Sequence, residues 1–405
     1  MNFYVNSAAN VASLFIALGS RLAVISLLTA TLGLTAYGEY ASLLSFCYIL
    51  VTLSDLGLTL FLSKEVSQNR ENIRKISELL SIFVFCKLIF SVILSSLLLV
   101  AIDQPFIIIT MMIVFSVLKA ADFTIFLSGL EKYTVQTNIN ALSALLFLSL
   151  IYLFKDEAEV LESLFLAHIA VIVFSQLAIV FYLRNRLEIS FSRINFQLLR
   201  EIVRKSVPFY FSRIFLNLYS YGSTYLTSLV LSLEKVAIYS IIIDLYKFGA
   251  ALIGRIGGVL FTHLNFKKDF HLLKKITVAS LAIHLAFLPV VYFGGEPILA
   301  FIFDFEVAEV HERSILLYCS LFMVIVCAYW NYPALTAAGL AHYSNLSVFI
   351  ASVVYFVAFA SFFFSSTISL YTAVLCILVF DATLLICISI VIGLFRDRFF
   401  ENLNE

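Results

Sequence analysis

AANVASLFIALGSRLAVISLLTATLG, residues Ala8 to Gly33, is an apolar run of membrane length with one arginine, Arg21, near its middle. A helix rises about 1.5 Å per residue, so about 20 residues cross the hydrocarbon core. A charge at that depth costs on the order of 3 kcal/mol even on the most lenient scale, and it almost never faces lipid. Such a span needs neighbouring helices and a polar space for Arg21.

The rest of the chain supplies them. Of 405 residues, 62% are hydrophobic and 13% charged, and the mean hydropathy is +1.03. Ordinary soluble domains are nearer half apolar and a quarter charged. The composition specifies an all-α integral membrane protein with many spans. The formal net charge is zero, which by itself argues neither way on nucleic acid; no nucleic-acid partner is expected. The amino terminus lacks a basic n-region and a small-x-small cleavage site, so the first run reads as a retained span.

Twelve runs reach spanning length: 8–32, 38–62, 79–101, 105–130, 135–154, 163–183, 206–231, 235–262, 276–294, 313–338, 344–365 and 368–395. With both termini cytoplasmic, 17 of the 26 Lys and Arg fall in one set of connections. The opposite set holds only Lys155, Lys235 and Arg313, and six cations lie within spans. The positive-inside rule therefore favours cytoplasmic termini. The longest connection, 184–205, falls midway and divides a first six-helix bundle, 1–183, from a second, 206–405. Its part Phe196–Lys205 reads either as a basic amphipathic helix on the inner leaflet or as a solvated linker. Gly129-Leu130 with Tyr133-Thr134, and Gly339-Leu340 with Tyr343-Ser344, share a G-L-x-x-Y-[T/S] pattern at the ends of spans four and ten. Six spans per half imply a parallel pseudo-repeat about an axis along the membrane normal.

The charges inside the spans carry the chemistry. The cations are Arg21, Lys87, Lys119, Arg213, Lys247 and Arg255; the acids are Asp55, Asp122, Asp244 and Asp381. Facing lipid together, they would cost roughly 25–35 kcal/mol, so most must line a cavity or pair with one another. Lys119 with Asp122, and Asp244 with Lys247, stand i,i+3 and read as local ion pairs or as cavity groups. Asp244, Lys247, Ala251 and Arg255 form one stripe on span eight, with Gly249, Gly254, Gly257 and Gly258 nearby for close packing or bending. Setting the two local pairs aside leaves Arg21, Lys87, Arg213 and Arg255 against Asp55 and Asp381. A positive, low-dielectric space attracts a phosphate or diphosphate, the natural partner of arginine. An organic cation would want unpaired carboxylates and an aromatic cage.

Other chemistries find little support. The six cysteines lie in or at the ends of apolar runs without a C-x-x-C pair, so they read as free thiols and no metal site is expected. The six histidines show no ligand spacing. There is no glycine-rich phosphate loop and no domain to house an ATPase. The expectation is a protein without cofactor and not an enzyme. Tyr210, Tyr219, Tyr221 and Tyr225 in span seven read as packing groups or as platforms for sugars.

The first hairpin carries a resemblance. It reads Leu32-Gly33, Tyr37-Gly38-Glu39-Tyr40 and Asp55-Leu56-Gly57-Leu58, followed by Ser128-Gly129-Leu130-Glu131-Lys132 at the end of span four. Pro208 early in span seven and Ala237-Ile238-Tyr239 in span eight fit the same pattern. It resembles Wzx-type O-antigen flippases, in the polysaccharide-export branch of the multidrug/oligosaccharidyl-lipid/polysaccharide (MOP) superfamily. Asp244 departs from the neutral or basic residue of many relatives. The resemblance implies a MATE-like pair of six-helix bundles in the bacterial inner membrane. It implies that undecaprenyl-diphosphate-linked oligosaccharide repeat units of lipopolysaccharide biosynthesis are moved outward by alternating access. On that reading Arg21 and Arg255 hold the diphosphate, and Lys87 and Arg213 guide entry, with Lys119 and Lys247 as further substrate contacts. Asp55 or Asp381 carries a coupling proton or sodium ion, with Asp122 and Asp244 as further candidates. Membrane lipid, an O-antigen polymerase and a chain-length regulator are the candidate partners. The alternatives are a drug or cation antiporter of the same superfamily and a membrane polymerase or glycosyltransferase. The outer connection Gly294–Glu312 is short for the latter.

Overall fold

A computed structural model of the chain describes residues 3–98, 102–154 and 160–400; side chains 3–18, 60, 97–98, 208–209, 211–213, 216–218, 262, 265–267, 398 and 400 lie outside the description. Among the described residues the chain is helical apart from short connections. The helices are α1 (Phe3–Leu53), α2 (Leu58–Gln68), α3 (Ile73–Leu98), α4 (Phe106–Ala120), α5 (Thr124–Gly129), α6 (Tyr133–Phe154) and α7 (Val160–Leu187). They continue as α8 (Phe196–Ser228), α9 (Leu233–Lys267), α10 (Phe270–Ile302), α11 (Ala308–Tyr329), α12 (Leu335–Ala337), α13 (Ala341–Phe364), α14 (Leu370–Leu394) and α15 (Arg396–Phe400). Helices are what a bilayer demands, because hydrocarbon offers no partner to an unpaired backbone N–H or C=O.

The chain falls into two compact units. The first holds residues up to Ala36 with Tyr40–Tyr225, and the second holds Tyr37–Glu39 with the chain from Leu226 onward. Ten helical stretches among the described residues are long and apolar enough to span, so the chain is a multi-pass membrane protein. The stretch Gly19–Leu53 is one of the ten, and α8 is not among them. Gly33 divides α1 into the two arms expected as spans one and two. Its φ of 78° and ψ of 167° lie in a region open essentially to glycine alone.

Three further interruptions shape the spans. The second arm of α1 ends at Leu53, and the chain turns through Ser54–Gly57 before α2. The expected fourth span is α4 and α5, broken at 121–123. The expected tenth is α11 followed by a π-helical turn, Trp330–Ala334, around Pro333. A proline removes a backbone donor, and a π turn absorbs the mismatch.

The linker segment Phe196–Lys205 is helical and forms the first turns of α8. Asn195 caps it, its Oδ1 accepting the N–H groups of Gln197 at 3.0 Å and Leu198 at 3.2 Å. Ile202 is buried in the core of the first unit with Leu79, Phe83, Phe126 and Leu183, while Arg200, Glu201, Arg204 and Lys205 are exposed. Further along, the Tyr210 hydroxyl donates to the Leu53 carbonyl at 3.0 Å, and α8 contributes to the first unit as far as Tyr225.

The core of the second unit gathers Leu260, Leu264, Phe270, Ile325, Tyr329 and Val391. Of the four glycines of α9, Gly249 and Gly257 meet α11 at Leu321 and Ala328, whereas Gly254 and Gly258 have open space beside them. The two G-L-x-x-Y segments are both helix-to-helix turns. Each closes with a backbone bond spanning five residues, Lys132 N–H to Leu127 O at 2.8 Å and Leu340 N–H to Leu335 O at 2.7 Å. The left-handed residue is Glu131 in the first and Gly339 in the second, two places apart in the pattern.

Gly129 lies where α5 crosses α2. A Cβ there would come within 2.8 Å of Val66 Cγ1 and 3.1 Å of the Ser63 carbonyl oxygen. Small residues permit such approaches in membranes, and overfilling a close contact costs about 1–3 kcal/mol. Gly129→Ala is expected to lower the melting temperature of the purified protein in detergent. Gly258→Ala, with open space beside it, is expected to leave it unchanged.

Candidate functional site: charges within the spans

The first unit pairs both acids of its spans with lysines. Lys87 on α3 is buried and makes an ion pair with Asp55 Oδ1, and its Nζ lies 3.4 Å from Thr59 Oγ1. Asp55 stands in the break before α2, where it also accepts the Thr59 hydroxyl and, at 3.4 Å, the Thr59 N–H. A carboxylate at a helix N-terminus is favoured by the helix dipole and the free N–H groups there. Lys119 Nζ reaches Asp122 Oδ2 at 3.2 Å, so this i,i+3 couple is a local ion pair. The other oxygen, Asp122 Oδ1, accepts the Thr124 N–H at 3.0 Å and anchors the start of α5.

Around this pair lies an aromatic cluster that sequence patterns do not reveal. The Tyr40 hydroxyl hydrogen-bonds His168 Nε2, and the two rings stack with centroids 5.9 Å apart. Phe115 and Phe147 face the same imidazole at 5.5 and 4.3 Å. The charges of Arg21 and Lys119 both act at His168, which places Arg21, exposed on the first arm of α1, toward this cluster. The span-seven tyrosines join the same unit. Tyr221 stacks on Tyr48 at 4.9 Å, Tyr225 tilts against Phe46 at 4.8 Å, and Tyr219 is buried. Arg213 lies on α8, and its side chain is outside the described residues.

The second unit has a different balance. On α9, Asp244 is buried, Lys247 is half-buried and Arg255 is exposed. Gly254 and Gly258 flank Arg255 in the sequence, and each has open space where a Cβ would stand. Asp381 on α14 is buried at 4% exposure. The Tyr246 hydroxyl donates to its Oδ2 at 2.7 Å, and the Ser320 hydroxyl approaches the same oxygen at 3.4 Å. No Lys, Arg or His nitrogen lies within 4.0 Å of it among the described residues, so two hydroxyls replace a counter-ion.

The described residues form two multi-spanning helical units with ionisable groups inside their spans, and known structures share this architecture. A multidrug resistance MATE transporter of the MOP superfamily in an inward-facing conformation matches with a TM-score of 0.65 and 14% identity, over 97% of this chain and 98% of that one. The eukaryotic MATE transporter AtDTX14 matches at 0.59 and 14%, over 97% and 99%. A MOP superfamily transporter from Pyrococcus furiosus matches at 0.58 and 14%, over 97% and 96%. The two-bundle fold is therefore that of MATE transporters. None of the curated proteins matches the sequence significantly. The family model described as polysaccharide biosynthesis protein matches residues 6–261, and the chain belongs to that family.

The Lys87–Asp55 pair yields a stability prediction. Removing one partner of a buried ion pair strands the other charge and costs about 3–5 kcal/mol, whereas replacing both costs far less. Lys87→Met alone is expected to lower the melting temperature sharply. Adding Asp55→Asn to it is expected to restore most of the loss, and a double variant no more stable than Lys87→Met would remove the pair as the cause.

Proposed function

We propose that this protein moves an undecaprenyl-diphosphate-linked oligosaccharide, an O-antigen repeat unit, from the inner to the outer leaflet of the bacterial inner membrane. Family membership supports a role in polysaccharide biosynthesis, and the fold supports transport. The observation that carries the choice of an anionic substrate is the charge balance of the first unit. Its spans hold four cations, Arg21, Lys87, Lys119 and Arg213, against Asp55 and Asp122. Each acid takes a lysine, and by count the spans carry two more cations than acids. Guanidinium binds phosphate oxygens in pairs, which suits a diphosphate linkage. Arg21 and Arg255 hold the head group, with Arg213, Lys119 and Lys247 as secondary contacts and the sugars in the polar volume. The two units alternate access with both termini cytoplasmic. A polymerase and a chain-length regulator receive the product outside.

The test is complementation of a strain lacking its own flippase. Arg21→Ala and Arg255→Ala, each at normal protein level, are expected to reduce surface polysaccharide at least about tenfold, the loss of one charge-assisted contact of 1.5–3 kcal/mol. The Lys replacements are expected to recover part of it. Full surface polysaccharide in both alanine variants would refute the assignment.

Asp381 is the proposed coupling residue. A buried carboxylate without a cation is costly, and taking up a proton or Na⁺ relieves that cost. In reconstituted vesicles, an imposed proton or sodium gradient is expected to speed wild-type transport several-fold and to leave Asp381→Asn unaffected. A variant that responds like wild type would dismiss Asp381 from coupling. The second reading, a drug or cation antiporter, is favoured by the MATE neighbours. It predicts efflux of a cationic dye that survives Arg21→Ala.

A further inference from the structure

The first turns of α8 and the middle of α3 enclose a groove of about 1110 Å³ within the first unit. One wall is apolar: Phe85, Ile89 and Phe90 project from α3, the latter two about 40% exposed. The edge-to-face contact of Phe85 with Phe196, centroids 6.4 Å apart, ties the start of α8 to that wall. The other wall is basic. Arg200 and Arg204 stand i,i+4, on one face of α8 and one turn apart. The acid between them, Glu201, is taken by Lys205 at 2.6 Å, and this bond and charge hold its carboxyl below the usual carboxylate range. Arg200 and Arg204 make no hydrogen bond or ion pair among the described residues. The charge of Lys75 reaches Glu201, which sets the basic wall beside the basic end of α3. On the positive-inside rule that end is cytoplasmic.

We propose that this groove is the docking site at which the lipid-diphosphate carrier is captured before transport. It binds the diphosphate through Arg200 and Arg204 and lays the isoprenoid chain along Phe85, Ile89 and Phe90. The inference rests on the flippase reading for the identity of the carrier. Charge complementarity selects the occupant. Two guanidinium groups, each able to bind an oxygen pair, match two linked phosphates. A singly charged phospholipid head uses one of them, and a zwitterionic head brings its own cation toward both. The apolar wall asks for no hydrogen bonds and suits a hydrocarbon chain. Neither Arg21 nor Lys119 lines the groove, and its basic wall, in the segment Phe196–Lys205, precedes the expected seventh span, 206–231.

Photolabelling tests the proposal. The full-length protein in phosphatidylcholine nanodiscs is treated with a diazirine-bearing polyprenyl diphosphate that carries no sugar, and adducts are mapped by mass spectrometry. Adducts are expected within 85–90 and 196–205. Undecaprenyl diphosphate should compete at a concentration at least tenfold below that needed of phosphatidylglycerol. Labelling should fall at least tenfold in the R200Q/R204Q double variant, whose exposed sites keep the wild-type melting temperature, and should fall also in Ile89→Asn. Unchanged labelling in both variants overturns the proposal. So does equal competition by phosphatidylglycerol, which marks a general anionic-lipid surface, or by inorganic pyrophosphate, which marks a site indifferent to the chain. The same proteins expressed in the flippase-deficient strain separate the two readings. Wild-type protein that is labelled in the groove but restores no surface polysaccharide supports docking and overturns the transport reading. Protein that restores it, with R200Q/R204Q labelled like wild type, overturns docking alone.

Discussion

An ionised side chain cannot remain in hydrocarbon without compensation, and this constraint fixes the first unit more firmly than any apolar contact. Membrane helices gain little by burying leucine against leucine, because lipid is as apolar as the partner helix. Polar groups therefore decide where the helices sit. Asp55 and Asp122 solve the problem in the same way. Each stands where a span is interrupted, each accepts a backbone N–H of the helical segment that follows, and each takes a lysine. The interruption supplies N–H groups that an unbroken helix would have consumed, and the carboxylate supplies the negative charge that both the helix end and the lysine require.

The two interruptions also belong to one contact. α2 begins after Asp55-Leu56-Gly57, α5 begins after Asp122, and the two short helices cross at Gly129. Leu58, Phe61, Leu62 and Val66 share a core with Ile125, Phe126 and Leu127. Beyond the crossing, Arg70 after α2 pairs with Glu131 after α5 at 2.8 Å. Two motifs from distant parts of the chain, D-L-G-L and S-G-L-E-K, are thus opposite sides of a single joint. The glycine of the second sets the approach, and its glutamate closes the end.

What could be read from the sequence follows from which forces are local. Hydropathy sets span positions because a bilayer filters each segment separately, and Gly33 could be placed because a kink between two apolar arms needs a residue free of a Cβ. The Lys119–Asp122 pair was legible because three residues along a helix is a fixed distance. Lys87–Asp55 was not, since α3 and the α1–α2 break meet only in the folded chain. The helical start of α8 stayed ambiguous for a related reason. A basic segment with apolar residues at helical spacing is stable only once Ile202 and Leu199 have a core to enter. His168 gave no signal at all, because its partners are the hydroxyl and rings of Tyr40, Phe115 and Phe147 on other helices.

This division bears on how function can be inferred from family pattern. The motif residues that carry the resemblance, Gly33, Asp55, Gly57, Gly129 and Glu131, are occupied with kinks, caps, a close crossing and an ion pair. They explain why the chain adopts a transporter fold and leave the choice of cargo open. The charges that motif patterns do not mark differ between the units. By count the spans of the first hold four cations against two acids, whereas in the second two span cations match two acids, one of which accepts two hydroxyls and has no cation within 4.0 Å among the described residues. Binding an anion and carrying an ion make opposite electrostatic demands, since a site that attracts a diphosphate repels Na⁺ and H⁺. Separate units can meet both demands where one cavity of uniform sign cannot.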